Sequence, residues 1–208
     1  MNMFYNVKRL FDIIVSCAAL ILLGPLLLLL AGCVILSAGR PALYRGWRTG
    51  RCGVPFKILK LRTMIQDAER CGGAETPSDD PRIHTIGKIL RRYKLDELPQ
   101  LLNVVMGDMS IVGPRPEVLG ETRLYGFREK NLVSMRPGLT DWASVKFRHE
   151  DEILRGAPDP HQAYHVLIQP EKIRLGLKYT QSHSMVVDLR IICSTCLAIC
   201  RGTCQEHG

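Results

Sequence analysis

The sequence predicts a mixed α/β, mostly helical protein that is held on one face of a membrane. Three observations lead to this fold class. An uncharged apolar run extends from Ile13 to Ala38, a strand–turn–strand pattern follows it, and residues 161 to 200 are mostly helical in pattern. The chain has 208 residues, enough for one domain with a real core in addition to a membrane segment.

The apolar run is long enough to cross a bilayer, since about 20 apolar residues span the hydrocarbon layer as a helix. Two features favour a re-entrant helix-break-helix hairpin over a straight span. Gly24 and Pro25 fall in the middle, where proline removes a backbone hydrogen bond. Basic residues flank both ends, so both ends favour the cytoplasmic side. We therefore predict a membrane hairpin over residues 1–40 with its break at Gly24 and Pro25; a kinked spanning helix is the alternative.

A competing signal lies inside the same run. Leu30 to Cys33 reads as a bacterial lipoprotein cleavage box, which would make Cys33 a lipidated N-terminus of an exported domain. The apolar stretch before Cys33 is long for a signal peptide, and it continues past the cysteine to Ala38. The membrane hairpin is therefore the favoured interpretation.

The net charge of +8 is concentrated in two blocks that contain no acidic residue. Seven cations lie between Arg40 and Arg62, and five more between Arg82 and Lys94. Such blocks suit the phosphates of lipids, nucleotides or nucleic acid, although a single surface cation is usually only solvated. The chain lacks interleaved aromatic residues for base stacking, which weighs against nucleic acid.

The cysteines and histidines give weaker signals. Four of the eight cysteines recur at helical spacing near the end: Cys193, Cys196, Cys200 and Cys204. We interpret them as small apolar residues on the buried stripe of a C-terminal helix, with metal binding or acylation as the alternative. His161 and His165 lie four residues apart, which permits a metal ion. Without a partnering carboxylate motif, a solvent-facing pair is the favoured interpretation.

A β-hairpin follows the apolar run. Ala42 to Trp47 and Val54 to Leu61 read as short strands joined by a glycine-containing turn. Lys60 and Arg62 are two residues apart, so an extended chain would place both on one face. The polar, turn-rich residues 66–81 predict a loop that can move over a site.

Helices and a further strand are predicted beyond the loop. Residues 83–93 carry apolar residues at helical spacing, and a tight turn at Arg136–Thr140 precedes a predicted strand that ends at Phe147. The C-terminal helix carries an apolar stripe that packs on the core or lies in the membrane interface. That stripe consists of Met185, Val186, Leu189, Ile192, Cys193, Cys196 and Leu197.

Two adjacent carboxylates stand out in the basic surround. Asp96 is predicted to cap a helix from Glu97 to Val105, because Asp is a favoured N-cap and Pro99 is tolerated in a first turn. A carboxylate at that position would stay ionised in the field of the helix dipole. An isolated aspartate there would be only a cap.

Arg115 lies between two prolines, which limit the backbone around it and hold its guanidinium in place. A fork-shaped donor held in this way suits a phosphate or a uracil-like edge. A structural turn with a surface arginine is the alternative.

Residues 91 to 117 closely resemble the signature of the bacterial sugar transferase family, the small monotopic phosphoglycosyl transferases. The resemblance extends over essentially the whole chain. It includes the segments Lys8–Asp12, Phe56–Met64, Arg82–Ile83, Arg136–Thr140 and Asp188–Ile192. Departures occur at Gly24, where relatives often have Ser, at His84, and at residues 141–148. The resemblance connects the region after Thr140 with the choice of sugar, so the identity of the sugar is not predicted.

The resemblance implies an Mg²⁺-dependent enzyme. It would transfer a sugar 1-phosphate from a UDP-sugar to polyprenyl (undecaprenyl) phosphate and release UMP. Asp96 would be the nucleophile that forms an acyl phosphate, and Glu97 would assist, both carboxylates serving as metal ligands. Substrate-binding roles would fall to Lys60, Arg62, Arg91, Arg115, Glu117, Arg136 and Arg148.

The resemblance also implies where the protein works. The catalytic domain, residues 41–208, would lie on the cytoplasmic face of the inner membrane, in contact with membrane lipids, and a homodimer is an allowed assembly. Nucleic acid is not expected as a partner. The rival hypothesis from another class is a non-catalytic basic adaptor that binds anionic lipid or nucleic acid.

Overall fold

The computed structural model describes residues 2–68, 76–120, 122 and 125–201. The protein is mostly helical with a small β-hairpin, as the sequence predicts. In chain order the elements are α1 (Asn2–Ala38), β1 (Leu43–Thr49), β2 (Pro55–Leu61), α2 (Thr85–Arg92), α3 (Gln100–Met106), β3 (Ser110–Val112), β4 (Gly138–Thr140), α4 (Trp142–Lys146), α5 (Glu150–Ile153), α6 (Pro160–Leu167), α7 (Gln169–Ser182) and α8 (Met185–Arg201). Part of the predicted mobile loop, residues 69–75, lies outside the described ranges.

Helix α1 is long and apolar enough to cross a membrane. The predicted break is not confirmed, because helical structure continues through Gly24 and Pro25. Proline withholds a single N–H from the helix, so a helix can bend at that residue without ending. The middle of α1 is uncovered by protein: Ile21 and Leu28 are 80% and 77% exposed.

A buried polar network fixes the N-terminal end of α1 to the domain. The Lys8 ammonium lies 2.6 Å from the Asp188 carboxylate, which also accepts a 2.6 Å hydrogen bond from the Tyr179 hydroxyl. Asp12 accepts a 2.7 Å hydrogen bond from the Ser110 hydroxyl. Since a buried charge is costly unless it is paired, this network ties α1 firmly to α7, α8 and β3.

The C-terminal end of α1 is fixed to the opposite part of the same domain. Val34 is fully buried and packs against Leu61 of β2 and Leu90 of α2. The Arg62 guanidinium donates to the Ala38 carbonyl at 2.6 Å, so it caps the last turn of the helix. Both ends of α1 therefore contact one domain.

The predicted β-hairpin is confirmed. β1 and β2 are antiparallel, with Tyr44 opposite Lys60 and Trp47 opposite Lys57. The buried face of β2 joins the main hydrophobic core. The buried residues of this core are Phe56, Ile58, Val104, Met109, Ile111, Val112, Met135, Tyr179 and Ile191. The side chain of Lys60 points toward the carboxylate pair, as described below.

The helix predicted to begin at Asp96 begins later, at Gln100. Asp96 instead lies in a short 3₁₀ turn over Leu95–Glu97. Pro99 has no N–H to donate to the Leu95 carbonyl, and the Leu98 N–H bonds that carbonyl at 3.3 Å, so the chain winds more tightly. Asp96 is therefore not an N-cap, and the argument from the helix dipole does not apply to it.

A short pair of parallel strands lies next to the proline-flanked turn that carries Arg115. β3 and β4 pair through Ser110–Gly138 and Val112–Thr140. The strand predicted to run from Thr140 to Phe147 is wrong, because α4 occupies this segment. Asp141 accepts a 2.6 Å hydrogen bond from the Ser144 N–H, and this N-cap starts the helix.

Helices α6, α7 and α8 confirm the helical C-terminal region. For the apolar stripe of α8 the sequence left two places open, the core and the membrane interface, and most of the stripe does not face the core. Asp188 and Ile191 are buried, whereas Leu189 and Leu197 of the predicted apolar stripe are about half exposed. Cys193 and Cys196 are exposed as well. The orientation follows from Asp188, which must face inward to reach Lys8.

Asn103 joins α3 to the hairpin and provides a test of the fold. Its side chain accepts from the Leu59 N–H at 2.9 Å and donates to the Lys57 carbonyl at 2.8 Å. Asn103→Ala would leave both backbone groups unpaired, which lowers the free energy of unfolding by about 2–4 kcal/mol. Thermal unfolding of the purified protein in detergent measures this loss. Leu102→Ala, on the exposed side of α3, is the matched control; equal midpoints for the two variants would contradict the prediction.

Candidate active site

The carboxylate pair lies at a sharp turn between α2 and α3. Lys94, just before it, has a left-handed backbone conformation with φ of 55°, which is uncommon for a residue other than glycine. Lys94 directly precedes the 3₁₀ turn that carries Asp96 and Glu97. Asp96 is only 7% exposed, so its carboxylate is held away from bulk water.

Glu97 is held between two cations. Its Oε1 lies 3.0 Å from the Lys60 ammonium, and both of its oxygens accept hydrogen bonds from the Arg115 guanidinium, in a forked pair. Burial by itself would raise the pKa of Glu97, but Arg115 and Lys60 outweigh burial and hold that pKa well below its ordinary value. Glu97 is therefore an anion across the physiological pH range.

Asp96 has a different environment. Its Oδ1 atom is buried and has no hydrogen-bond partner among the described residues. Burial raises the pKa of Asp96 above its ordinary value; Lys60 opposes this rise, and the neighbouring charge of Glu97 adds to it. A buried acceptor without a partner is unusual in a folded protein, so it marks a place where a ligand atom can bind.

The raised pKa of Asp96 gives a testable pH dependence. The family resemblance implies that Asp96 is the nucleophile, and a carboxylate attacks only when it has lost its proton; in that role, transfer should rise with pH as Asp96 ionises. Because burial raises that pKa, the acid limb of the rate profile should fall at a higher pH than the ordinary aspartate value of about 3.9. Initial rates measured across the acidic range, with stability checked at each pH, test this. An acid limb at or below the ordinary value would contradict it.

The pair opens into a cleft of about 1820 Å³ between the hairpin, the turn after β3, and α4 to α8. Asp96 and Glu97 line it together with many basic groups. The cations along this cleft include Lys60, Arg91, Lys94, Arg115, Arg148 and Lys172. The structure therefore brings together the carboxylate pair and five of the predicted substrate-binding cations: Lys60, Arg62, Arg91, Arg115 and Arg148.

Two of these arginines retain donors that can serve a ligand. The Arg91 Nε donates to the Thr63 hydroxyl at 2.9 Å, which orients the rest of the guanidinium. The Arg148 Nε and Nη1 atoms are buried without a hydrogen-bond partner among the described residues. Unpaired guanidinium groups in a cleft favour an anionic ligand.

Glu117, also predicted to bind substrate, lies on the cleft wall after the proline-flanked turn. Its carbonyl accepts a 2.9 Å hydrogen bond from the Thr49 N–H, which joins this turn to β1. Lys172 and Tyr164 line the same wall and were not predicted. The Lys172 ammonium pairs with Glu150 and lies 3.5 Å from the Tyr164 hydroxyl, an arrangement of three separate segments that no local pattern reveals.

Arg62 and Arg136 have other partners. Two carbonyls at the end of α1 and the Arg40 carbonyl accept from the Arg62 guanidinium, whose position follows from the end of β2 at Leu61. The Arg136 Nε donates to the Gly107 carbonyl at 2.9 Å, at the end of α3. In both cases a guanidinium satisfies terminal helix carbonyls. Arg62 nevertheless lines the cleft, and its Nε is buried without a hydrogen-bond partner among the described residues. Arg136 does not line the cleft, so we leave only Arg136 out of the proposed site.

The carboxylate pair fits the chemistry of a magnesium ion. Among the described residues no group of three or more metal-binding side chains occurs, so two carboxylates are what the protein offers. Mg²⁺ commonly takes one or two carboxylates and completes its shell with phosphate oxygens and water. The unpaired Asp96 Oδ1 is an available oxygen donor, whereas the oxygens of Glu97 are shared with Arg115 and Lys60.

Residues 3–202 match the sequence pattern of the bacterial sugar transferases. The chain belongs to the bacterial sugar transferase family. This match covers nearly the whole chain, and it includes Asp96, Glu97 and the turn that carries Arg115. The protein is therefore a phosphoglycosyl transferase enzyme.

Individual relatives agree with this membership. The chain is 40% identical over 197 residues to the exopolysaccharide production protein PSS of Rhizobium leguminosarum bv. phaseoli, covering 90% of this chain and 92% of that protein. It is 38% identical over 191 residues to a UDP-glucose:undecaprenyl-phosphate glucose-1-phosphate transferase of Caulobacter vibrioides, covering 90% of this chain and 67% of that protein. It is 36% identical over 209 residues to the exopolysaccharide production protein ExoY of Sinorhizobium fredii, covering 93% and 85%.

Proposed function

We propose that this enzyme transfers a sugar 1-phosphate from a UDP-sugar to polyprenyl phosphate, releases UMP, and does so through a covalent phosphosugar–Asp96 intermediate. The observation that carries the proposal is the Asp96 Oδ1 atom, a buried carboxylate oxygen without a partner beside a cluster of cations. The name of the Caulobacter relative supports the same overall reaction for a close family member.

In the first step, an Asp96 carboxylate oxygen attacks the phosphorus that carries the sugar. The bond between that phosphorus and the bridging oxygen of the diphosphate breaks, and UMP departs with the electron pair. Asp96 then holds the phosphosugar as an acyl phosphate. A carboxylate nucleophile divides one difficult transfer into two easier displacements.

In the second step, a phosphate oxygen of the polyprenyl phosphate attacks the same phosphorus. The bond from phosphorus to the Asp96 oxygen breaks, and the carboxylate is restored. The product is a lipid diphosphate that carries the sugar. No net proton transfer is needed, because both the attacking group and the leaving group are anions.

The cations stabilise the charge that develops on the phosphates. Arg115 and Lys60 lie against Glu97, and this anion keeps both cations fixed before substrate binds. Fixed charges that need no reorganisation are the most effective form of electrostatic stabilisation. Arg91 and Arg148 add donors along the cleft, which suits a ligand with two phosphates.

We propose Asp96 and Glu97 as the protein ligands of Mg²⁺. When bound, the ion would neutralise phosphate charge and withdraw electrons from the phosphorus under attack. The protein residues would bind and orient the diphosphate at the bottom of the cleft.

The contacts of α1 support a re-entrant arrangement in the membrane, with residues 1–40 as the membrane segment and 41–208 as the catalytic domain. A helix that crossed the bilayer would place its ends about 30 Å apart on opposite sides of the hydrocarbon layer. Here Lys8 and Asp12 near one end, and Val34 near the other, contact the same domain. The exposed apolar middle of α1 would then enter a single leaflet, and the basic flanks favour the cytoplasmic face.

The same contacts weigh against an exported lipoprotein. Cleavage before Cys33 would remove Lys8 and Asp12, leaving Asp188 buried without its cation. Removing one member of a buried ion pair is strongly destabilising. The non-catalytic adaptor is disfavoured by the family membership and by an arrangement that leaves a buried carboxylate oxygen unpaired.

The test is UMP release by the purified enzyme with polyprenyl phosphate, Mg²⁺ and a panel of UDP-sugars. We expect UMP to form with at least one UDP-sugar, and the formation of sugar-linked lipid diphosphate to match it. Reactions without the lipid acceptor, and with EDTA in place of Mg²⁺, are the controls. Lipid binding with no UMP from any donor would support the adaptor instead.

A further inference from the structure

Helix α6 carries two histidines whose imidazole Nε2 atoms lie next to each other. His161 and His165 are one turn apart, and their Nε2 atoms lie 3.1 Å from each other. The ring centroids are 4.3 Å apart. Residues four apart share a face of a helix, but they do not usually aim the same ring nitrogen at each other.

A third residue fixes the tautomer of His165. The Gln169 Oε1 atom lies 2.5 Å from the His165 Nδ1. An amide oxygen can only accept, so Nδ1 carries the hydrogen and Nε2 presents its lone pair. The proton of the 3.1 Å contact therefore belongs to His161, which donates to His165. Metal-binding histidines almost always donate their other ring N–H to a nearby acceptor, as His165 does to Gln169.

We propose that His161 and His165 form a binding site for a divalent transition metal of the Zn²⁺ type. Two imidazole nitrogens at about 2.0–2.1 Å from one tetrahedral zinc ion are roughly 3.3 Å apart, close to the separation seen here. When the ion binds, the single hydrogen of neutral His161 moves from Nε2 to Nδ1, so both Nε2 lone pairs face the ion and no net proton is released. Nitrogen ligands select this class of metal over Mg²⁺, which prefers oxygen.

The site is open, and its ligands are different residues from the carboxylate pair. His161 is on the wall of the same cleft, and the described residues supply no third metal-binding side chain to form a closed site. Water or an anion would complete the coordination. Binding at this site therefore does not require the transfer reaction, and it can be measured without substrate.

The experiment uses the full-length protein in detergent, titrated with Co²⁺ and then with Zn²⁺. With excess Mg²⁺ present to occupy the carboxylate pair, we expect one Co²⁺ per chain, a visible absorption without a thiolate-to-cobalt band, and displacement of Co²⁺ by Zn²⁺. His161→Ala and His165→Ala should each reduce the affinity to that of the double variant. Gln169→Met should weaken binding roughly tenfold, because the Gln169 oxygen holds the His165 ring in its orientation and tautomer.

His149→Ala is the matched control, because His149 is a half-exposed imidazole that lies 3.5 Å from Glu152 and away from the pair. It should bind metal as the wild type does. His161→Gln, a polar replacement on an exposed position, separates loss of a ligand from loss of the fold. Unchanged Co²⁺ affinity in the His161 and His165 variants, or a thiolate band in the wild type, would overturn the proposal.

Discussion

Asp96→Asn should reduce UMP release by on the order of 10³-fold or more, the scale seen when a covalent nucleophile is removed. Asparagine keeps the size and shape of the side chain but cannot form an acyl phosphate. The fold should survive, because a neutral amide is easier to bury than a carboxylate whose pKa burial already raises. Initial rates with the preferred UDP-sugar, together with circular dichroism of the variant, provide the measurement.

Asp79→Asn is the matched control for this change, since Asp79 is an exposed aspartate that does not line the cleft. It should turn over at the wild-type rate. If the Asp96 variant also retained most of its activity, Asp96 would not be the nucleophile. The proposed two-step mechanism would then be wrong.

Glu97→Gln should lower the rate by about 10²–10³-fold, the loss expected when a preorganised charged group is removed. The amide cannot hold Arg115 and Lys60 as a carboxylate does, so both cations lose their fixed positions. A second effect follows from Asp96, whose pKa is raised in part by the charge of Glu97. Removing that charge lowers the pKa of Asp96, and the acid limb of the rate profile should move to lower pH.

The combination of effects distinguishes this role from a purely structural one. A variant that is merely misfolded would lose activity without moving the acid limb. Glu171→Gln is the matched control, because Glu171 also pairs with two cations, Lys146 and Arg174, but on the protein surface. Exposed ion pairs contribute little, so this variant should keep its rate and its pH profile. A wild-type profile for Glu97→Gln would contradict the proposed electrostatics.

Local patterns in the sequence predicted the parts of the fold that depend on neighbouring residues. The hairpin follows from alternating strand residues and its turn, and the stiff turn around Arg115 follows from two prolines. The carboxylate pair stood out because its basic surround was visible in the sequence. Its position next to Lys60 and Arg115 is a structural finding that agrees with that prediction.

Other features depend on contacts between distant segments, and the sequence did not reveal them. Arg62 was predicted to share a face with Lys60, but β2 ends at Leu61 and the end of α1 attracts its guanidinium. Asp188 was placed off the buried stripe of α8, yet it faces inward to meet Lys8, 180 residues away. A sequence pattern predicts that a charged residue is exposed, whereas in the folded protein an ion-pair partner can draw it into the interior.

The burial of Asp96 reverses one electrostatic argument. From the sequence, a helix dipole was expected to keep this carboxylate ionised. In the structure the helix begins at Gln100, and desolvation raises the pKa of Asp96 instead. Desolvation and the charge of Glu97, opposed by the cations Lys60, Arg91 and Lys94, therefore set the pKa of Asp96.

Mass spectrometry of the wild-type enzyme, quenched after incubation with the UDP-sugar and Mg²⁺ but without lipid acceptor, tests the central claim most directly. The account predicts one sugar-phosphate mass on the peptide that contains Asp96, formed together with one equivalent of UMP and removed when polyprenyl phosphate is added. Steady transfer with no adduct on that peptide, or an adduct on another residue, would contradict it.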